Sequence, residues 1–334
     1  MKKYSIVLPV RNGGEYVKEC VNSILAQTLN DFNLHVLDNC STDGTLEWIN
    51  SLHDDRIIIT PSAKSLTIEE NWARVLTVPK NEYLTLIGHD DLLAKNYLEV
   101  MDELISRHPD ASLYQAHFNF IDSKGKIIRK CQPMVEIENA ADFLAGLLTN
   151  TFDIMGTGFM MRSRDYDAIG GIPAFPNLLF ADFVIFLSLS RINYKAASSE
   201  NCFSFRLHQS TTAVSSPVKF IKALEQFIYF LKSLKTQDKA LNKVIQKDSP
   251  AFLLFYCKGL SHRLLRTPLG MRDNLTVKEF IAKCETYAQT LAPGNTFKPL
   301  SVFSIWLAKV LDSSFIGRKL FLGFKKLYSR PVLK

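Results

Sequence analysis

The 334-residue sequence contains no run of eighteen apolar residues, so it predicts no transmembrane helix. It also contains no CxxC pair. Its six cysteines are scattered, which argues against a zinc site or a disulfide framework and favours reduced thiols in a cytosolic compartment. No internal repeat and no low-complexity linker is found. The composition, 47% hydrophobic and 22% charged, is that of an ordinary globular protein. The length allows about two domains of ~150 residues each.

The main part of the chain also lacks net charge. The formal total is +7, and the stretch from residue 297 to residue 334 contains eight basic side chains and one acid, Asp312. The whole surplus therefore belongs to the C-terminal tail, and residues 1–296 are close to neutral. A main domain without a basic surplus argues against a nucleic-acid partner.

Strands alternate with helices over the first hundred residues. Apolar, β-favouring runs begin near Ser5, Asn33, Arg56 and Tyr83, and helically spaced apolar residues separate them. This alternation predicts an α/β fold with a doubly wound, mostly parallel sheet and right-handed crossovers.

Beyond residue 110 the pattern changes. A hairpin of two strands is predicted at 111–131, further short helices and strands follow, and the chain becomes helical after Ser216. We therefore predict one domain over residues 1–215 and a helical C-terminal region over residues 216–334. The two halves predicted for the first domain are a Rossmann-like nucleotide-binding half at 1–110 and an acceptor-binding, catalytic half at 111–215.

An acidic turn follows the strand that begins at Tyr83. The turn at residues 88–91 reads Gly-His-Asp-Asp, and strand ends of this kind face the ligand crevice of an open α/β sheet. Two adjacent carboxylates suit a divalent cation that holds a substrate phosphate. The alternative is that Asp91 caps a helix predicted at 92–107 while Asp90 is merely solvated in the turn. Taken alone, the turn fits both interpretations equally.

Several motifs, in order and at compatible spacing, resemble those of family 2 glycosyltransferases of the GT-A fold. They are the Pro-Val-Arg-Asn that ends the first strand at 9–12, the Ser-Ile-Leu-Ala-Gln-Thr at 23–28, the segment 38–45 after the second strand, and the acidic turn in place of the family's Asp-x-Asp. The resemblance covers roughly residues 4–215 and is strongest up to residue 100. It implies a GT-A fold and transfer of a sugar from a nucleotide diphosphate sugar.

The acidic turn departs from the family pattern because Gly88 stands where the first acid is expected. The resemblance implies that Mn²⁺ or Mg²⁺ neutralises the leaving diphosphate. Asp90 is the first candidate ligand and Asp91 the second. His208, in an Arg-x-His motif that closes many members over the diphosphate, is a third candidate, through a neutral imidazole.

The resemblance also implies a set of contacts to the nucleotide sugar. Asp38 would contact the base or the ribose, with capping of the next helix as its alternative. Arg206 would clamp a phosphate, whereas Arg11 is either a phosphate contact or a plain surface charge. The residues predicted at the donor are Pro9, Val10, Arg11, Asn12, Asp38, Asn71, His89, Asp90 and Arg206.

Asp182 is the candidate general base. It follows an apolar stretch, stands at the start of a predicted helix, and matches the acid at the family's catalytic position. A single carboxylate within reach of the acceptor hydroxyl suffices for an inverting, direct displacement. The alternative role is an N-terminal helix cap.

The last predicted helix separates apolar from basic side chains. Between Arg318 and Tyr328 the basic residues lie opposite an apolar arc of about 120°, which contains Leu320, Phe321, Phe324, Leu327 and Tyr328. A helix with a basic and an aromatic face is typical of a membrane interface. The alternatives are that it packs on its own domain or on a second subunit of a homo-oligomer.

Together, the residues and the resemblance predict a metal-dependent, inverting hexosyl- or N-acetylhexosaminyltransferase. Its donor would be a UDP-sugar and its acceptor a saccharide, lipid-linked, in surface polysaccharide biosynthesis of the capsule or O-antigen type. The enzyme would be cytoplasmic and peripheral on the inner face of the cell membrane. Two alternatives are a catalytically inactive nucleotide-sugar-binding subunit, which Gly88 leaves open, and a nucleotidyltransferase on a similar fold.

Overall fold

The computed structural model describes residues 2–207 and 215–328, and His208 therefore lies outside the described residues. Within these ranges no helix is long and apolar enough to cross a membrane. The sequence analysis placed one break near residue 215 and did not assign residues 144–150 to the C-terminal part. In the structure the chain forms two compact units, of which the first comprises Met1–Phe143 and Thr151–His208, and the second Leu144–Asn150 and Gln209–Lys334.

The first unit alternates strands and helices. Its strands are β1 (Tyr4–Val10), β2 (Phe32–Asp38), β3 (Ile57–Ile59), β4 (Tyr83–Leu86), β5 (Leu92–Leu93), β6 (Leu113–Ile121), β7 (Ile127–Lys130), β8 (Ile137–Glu138), β9 (Met160–Arg162) and β10 (Lys195–Arg206). Its helices are α1 (Gly14–Leu25), α2 (Thr45–Ser51), α3 (Ile68–Ala73), α4 (Tyr97–Arg107), α6 (Ser163–Ala168) and α7 (Ala181–Ile192), and α5 (Ala140–Thr149) begins in this unit.

The strands form a single sheet in the order β3-β2-β1-β4-β9-β6-β10-β5, with β7 beside β6 and β8 beside β10. The four strands from β3 to β4 are parallel, and so are β6 and β10. β9 lies antiparallel between β4 and β6. All seven residues of β1 are buried, as expected for a central strand of a parallel sheet. The predicted α/β fold with a doubly wound, mostly parallel sheet is confirmed, and so is the hairpin of β6 and β7.

The helix predicted at 92–107 begins later than expected. Leu92 and Leu93 form β5, which pairs with Ser204 and Phe203 of β10, and α4 starts only at Tyr97. Pairing with a distant strand wins over the local helical pattern because it satisfies the backbone groups in the sheet. Asp91 therefore caps no helix.

The second unit is helical. Its helices are α8 (Pro217–Gln237), α9 (Lys239–Arg266), α10 (Val277–Leu291), α11 (Phe303–Asp312) and α12 (Phe315–Tyr328). α10 begins with a capping box in which Thr276 and Glu279 satisfy each other's backbone N–H groups. Arg272 and Asp312 form a buried ion pair with 2.5 Å between Nη2 and Oδ1. The Asp312 carboxylate also accepts from the backbone N–H of Val277 at the start of α10.

Candidate functional site

The ends of β1 and β2 lie side by side, with Val10 opposite Asp38 in the register. The loops that follow them are joined by hydrogen bonds: the Asn12 N–H donates to Ser41 Oγ at 3.0 Å, and the Thr42 N–H donates to Asn12 Oδ1 at 2.8 Å. Asn12 adopts a left-handed backbone with φ 52°, a conformation that asparagine tolerates better than most residues. The two motifs nearest the N-terminus thus form one continuous surface at the carboxyl edge of the sheet.

Only part of the first motif can reach a ligand. Pro9 and Val10 are buried in β1, whereas Arg11 and Asn12 are exposed. The structure therefore offers Arg11 and Asn12 to a donor, while Pro9 and Val10 support the turn from within the core. A direct donor contact of the Pro9 and Val10 side chains is not available in this arrangement.

Asp38 is buried and is held by its neighbours. Its carboxylate accepts from the Ser41 N–H at 3.3 Å, and its backbone carbonyl accepts from Arg74 Nη1 at 3.0 Å. The same Arg74 nitrogen donates to Asn71 Oδ1 at 2.9 Å, and the Asn71 amide reaches the backbone of β2. Asn71 and Arg74 thus position the end of β2. The sequence analysis missed Arg74, although it closely follows a capping box at Thr67 that marks a short helix.

The alternative role proposed for Asp38, capping the next helix, is wrong. α2 begins at Thr45, and its N-cap residue is Gly44, with φ 85° and no side-chain cap.

Within the acidic turn, Asp91 is the structural anchor. It is 1% exposed. Its Oδ2 accepts from the Thr157 hydroxyl at 2.6 Å, and its Oδ1 accepts from the backbone N–H of Arg206 at 3.0 Å. His89 and Asp90 are only partly buried. Asp91 therefore fixes the turn, and the more accessible Asp90 is the carboxylate that the turn presents.

Gly88 lies close to the two carboxylates that follow it. A Cβ added there would lie 2.7 Å from Asp90 Oδ1 and 3.1 Å from Asp91 Oδ2. The first distance is shorter than real Cβ contacts allow, so an aspartate at this position would displace the carboxylate of Asp90. Gly88 therefore leaves room for the carboxylates of Asp90 and Asp91. Both of them lie next to the space that a side chain at residue 88 would occupy.

Arg206 does not match its predicted role as a phosphate clamp. Its side chain is 0% exposed. Nε donates to the Asp90 carbonyl at 2.8 Å, Nη1 donates to the Asp122 and Ser123 carbonyls, and Nη2 pairs with Glu19 at 2.5 Å. The guanidinium is therefore a link between the acidic turn and two other segments. Glu19 gave no signal in the sequence, because it lies on α1 among other exposed polar residues.

Asp182 lies at the second position of α7 and is mostly buried, with its Oδ1 accepting from the Phe183 N–H at 2.9 Å. Burial raises the pKa of this carboxyl to about 6, and the hydrogen bond from the backbone opposes the rise only in part. A carboxylate with such a pKa can take a proton near neutral pH. The side chain thus bonds its own helix end, and its role as the general base stays a prediction.

The loop at residues 156–158 lies between Asp182 and the acidic turn. A Cβ on Gly156 would lie 3.9 Å from the Asp182 Cβ, and Thr157 donates to Asp91. Gly158 has φ 78°, and a Cβ there would overlap the ring of Phe203 at 2.6 Å. Only glycine fits at that point. The loop therefore lies next to both the candidate base and the acidic turn, and Thr157 is a residue that the sequence analysis did not single out.

The described residues supply only part of the predicted set of metal ligands. Among the described residues, no group of three or more His, Cys, Asp or Glu side chains is arranged to hold a metal ion. Mg²⁺ at phosphate sites is commonly held by one or two carboxylates together with the substrate's own phosphates. The two carboxylates that converge over Gly88 fit that pattern, with Asp90 the more accessible of the two and Asp91 held by Thr157. Metal binding at Asp90, Asp91 and His208 stays a prediction.

Residues 5–170 match the model of the family described as "Glycosyl transferase family 2". The chain is 26% identical over 123 residues to the glycosyltransferase GlyG of Streptococcus pneumoniae, a match that covers 36% of this chain and 41% of GlyG. It is 28% identical over 239 residues to an uncharacterized glycosyltransferase of Haemophilus influenzae, with 69% of this chain and 88% of that protein covered. The chain thus spans less than half the length of GlyG and most of the Haemophilus protein.

The fold is similar to that of S. aureus TarS residues 1–349, solved in complex with UDP-GlcNAc. The TM-score is 0.62 at 12% identity, and the match covers 92% of this chain and 90% of the TarS chain. At this identity the likeness concerns the fold alone. The family match includes the β1 and β2 loops and the acidic turn, whose geometry is given above. The chain therefore belongs to glycosyl transferase family 2, and it is a glycosyltransferase of the GT-A fold.

Proposed function

We propose that this enzyme transfers a sugar from a UDP-sugar to a saccharide hydroxyl by a single inverting displacement, with Asp182 as the general base. The observation that supports this most is the pairing of a carboxyl whose pKa is near 6 with an acidic turn, through the loop at 156–158. One base on the acceptor side and no enzyme nucleophile is the arrangement that inversion requires.

The donor is held at the carboxyl edge of the sheet. Arg11 and Asn12 are the exposed residues of the first loop, and Asp38 lies next to them at the end of β2. A uracil or ribose group would lie against Asp38 and the β1 loop, and the diphosphate against the acidic turn. The UDP-GlcNAc complex of TarS, which shares the fold, supports UDP as the nucleotide and a hexose or N-acetylhexosamine as the sugar.

A divalent cation, Mn²⁺ or Mg²⁺, is part of the proposal. When bound, it would neutralise the leaving diphosphate. Asp90 would hold it and Asp91 would keep Asp90 in place, since Asp91 is itself fixed by Thr157 and the Arg206 backbone. Asp182 would take the acceptor proton. His89 stays a candidate donor contact, and His208 a candidate ligand from outside the described residues.

The acceptor is a saccharide carried on a lipid, and the enzyme meets it at the cytoplasmic face of the membrane in surface polysaccharide biosynthesis. The basic tail supports this proposal, because all of the chain's surplus positive charge lies after residue 296. Each basic residue near an anionic leaflet contributes ~1 kcal/mol of attraction.

Asp90→Ala tests the chemistry. We expect it to abolish Mn²⁺-dependent hydrolysis of UDP-GlcNAc and transfer from it, because the accessible carboxylate of the turn is lost. Thermal unfolding should be unchanged, since Asp90 is only partly buried. Asp110→Ala serves as the matched control, because that aspartate is an exposed residue away from the turn. Full Mn²⁺-dependent activity in folded Asp90→Ala protein would rule out the assigned ligand.

A further inference from the structure

α11 has two faces of different exposure but similar polarity. Ile305, Ala308 and Asp312 are buried against the second unit. Phe303, Trp306 and Val310 fall within about 60° of one another on the opposite side, at 100° per residue. An amphipathic helix normally turns polar residues outward. This helix turns an aromatic and aliphatic face outward instead.

The outward face is strongly exposed, and its two aromatic rings contact each other. Phe303 is 70% exposed and Trp306 is 45% exposed. Their rings stack with centroids 5.7 Å apart and 29° between the planes. The next helix continues the apolar exposure with Phe315, Ile316 and Leu320. Exposed apolar groups in this number mark an interaction surface in a folded protein.

Charge around the face has a single sign. Lys298 and Lys319 are exposed, and Lys309 is partly exposed on α11 itself. The only acid between residues 297 and 328 is Asp312, which is 1% exposed in its side chain and paired with Arg272. Within α11 and the described part of α12, apolar side chains are thus combined with positive charge, and the one acid of these two helices is buried.

We propose that the α11 face, defined as Phe303, Trp306 and Val310, inserts into the headgroup region of an anionic lipid bilayer. Basic residues beside interfacial aromatic side chains are complementary to such a surface. A second copy of this chain would instead bring lysines against lysines, which is unfavourable. The inference rests on the membrane location given under Proposed function, and it assigns the anchor to a helix upstream of the one at 318–328 that the sequence pattern indicated.

The decisive experiment measures binding to vesicles of phosphatidylcholine mixed with phosphatidylglycerol. Phe303→Ser/Trp306→Ser should bind these vesicles about tenfold more weakly or worse, the change expected from exposing two partly inserted aromatic side chains. Tyr229→Ser is the matched control, because Tyr229 is 60% exposed on α8, outside the α11 face. It should bind like the wild-type protein. Thermal unfolding of each variant shows whether the fold is intact.

A second measurement follows Trp306 directly. The chain has three tryptophans, and the other two, Trp48 and Trp72, lie in the first unit. Emission should shift to the blue when anionic vesicles are added to the wild-type protein, and the shift should be lost in Trp306→Phe, which keeps an aromatic ring and still binds. Lys298→Glu/Lys319→Glu should weaken binding at low salt more than at high salt, because the Debye length falls from ~10 Å at 0.1 M to ~3 Å at 1 M.

Three results would overturn the inference. They are unchanged vesicle binding by folded Phe303→Ser/Trp306→Ser, binding to phosphatidylcholine vesicles as strong as to the anionic mixture, and a dimer of the wild-type protein that the double serine variant converts to monomer. Transfer to a soluble acceptor is measured on the same samples. Loss of vesicle binding with transfer retained would support the anchor. Failure of transfer in the wild-type protein would count against the proposed function and leave the anchor standing.

Discussion

Arg206 and Arg272 are both buried, one in each compact unit, but their surroundings differ. Arg206 donates from every guanidinium nitrogen, to three backbone carbonyls and to Glu19. Arg272 donates from Nη2 to Asp312, while within the described part of the chain Nε and Nη1 have no acceptor. Burying a charged group costs several kcal/mol unless it is paired and hydrogen-bonded. The hydrogen bonds of Arg206 are therefore shared among several partners, whereas the charge of Arg272 is compensated by one carboxylate.

We expect the two buried arginines to matter for different properties of the protein. In the first unit, buried polar groups hold the turn that presents the partly exposed Asp90, the proposed ligand contact, so their removal should affect activity first. In the second unit, the Arg272–Asp312 pair connects the segment before α10 to the end of α11. Its removal should affect folding first. This division between activity and stability can be measured.

The largest effect is expected for Asp182→Asn, which should lower transfer by ~10²–10⁴-fold, the usual range for removal of a general base. Donor binding and thermal unfolding should be nearly unchanged. In the wild-type protein, transfer should rise about tenfold per pH unit up to about pH 6 and then level off, because Asp182 accepts a proton only when ionised. The variant should lack this rise. Transfer by Asp182→Asn near the wild-type rate would place the base elsewhere.

The next largest effect is expected for Asp312→Asn. It leaves the Arg272 guanidinium buried without its counter-charge, so the free energy of unfolding should fall by about 3–5 kcal/mol. Urea unfolding followed by circular dichroism measures this. Arg272→Met/Asp312→Leu removes both charges and should recover part of the loss. If Asp312→Asn is as stable as the wild-type protein, the pair contributes little and the contrast with Arg206 disappears.

Arg206→Met should have the smallest effect of the three variants, and it should be seen mainly in the rate of transfer. Methionine fills similar buried volume, and Glu19 is half exposed and can be resolvated, but the carbonyls of Asp90, Asp122 and Ser123 lose their donor. The free energy of unfolding should therefore fall by about 1–2 kcal/mol, less than for Asp312→Asn. Transfer should fall about tenfold, since the acidic turn loses its link to Nε and its precise position matters for catalysis. Steady-state transfer and urea unfolding on the same sample separate the two. A large loss of stability with normal transfer would reverse the comparison.

Local patterns were enough to predict much of this molecule. Apolar runs and turn residues marked β1, β2 and β4, and the motifs at their ends located Asn12, Asp38 and Asp90 at one edge of the sheet. This works because strand and helix periods are written in neighbouring residues, and because parallel strands bring their carboxyl ends together. The capping box at Thr276 was likewise legible, since both of its partners lie within one turn.

What the tertiary structure alone decided involves partners far apart in the chain. Asp91 was predicted as a metal ligand, which stays a prediction, or as a helix cap, which is wrong. Its hydrogen bonds go to Thr157, 66 residues away, and to Arg206, 115 residues away. Leu92 and Leu93 do not join the helix because they pair with β10. In α11 apolar residues occur on both sides, so the sequence did not say which side would be buried. In the structure, Ile305 and Ala308 are buried against the rest of the second unit, and Phe303 and Trp306 are exposed.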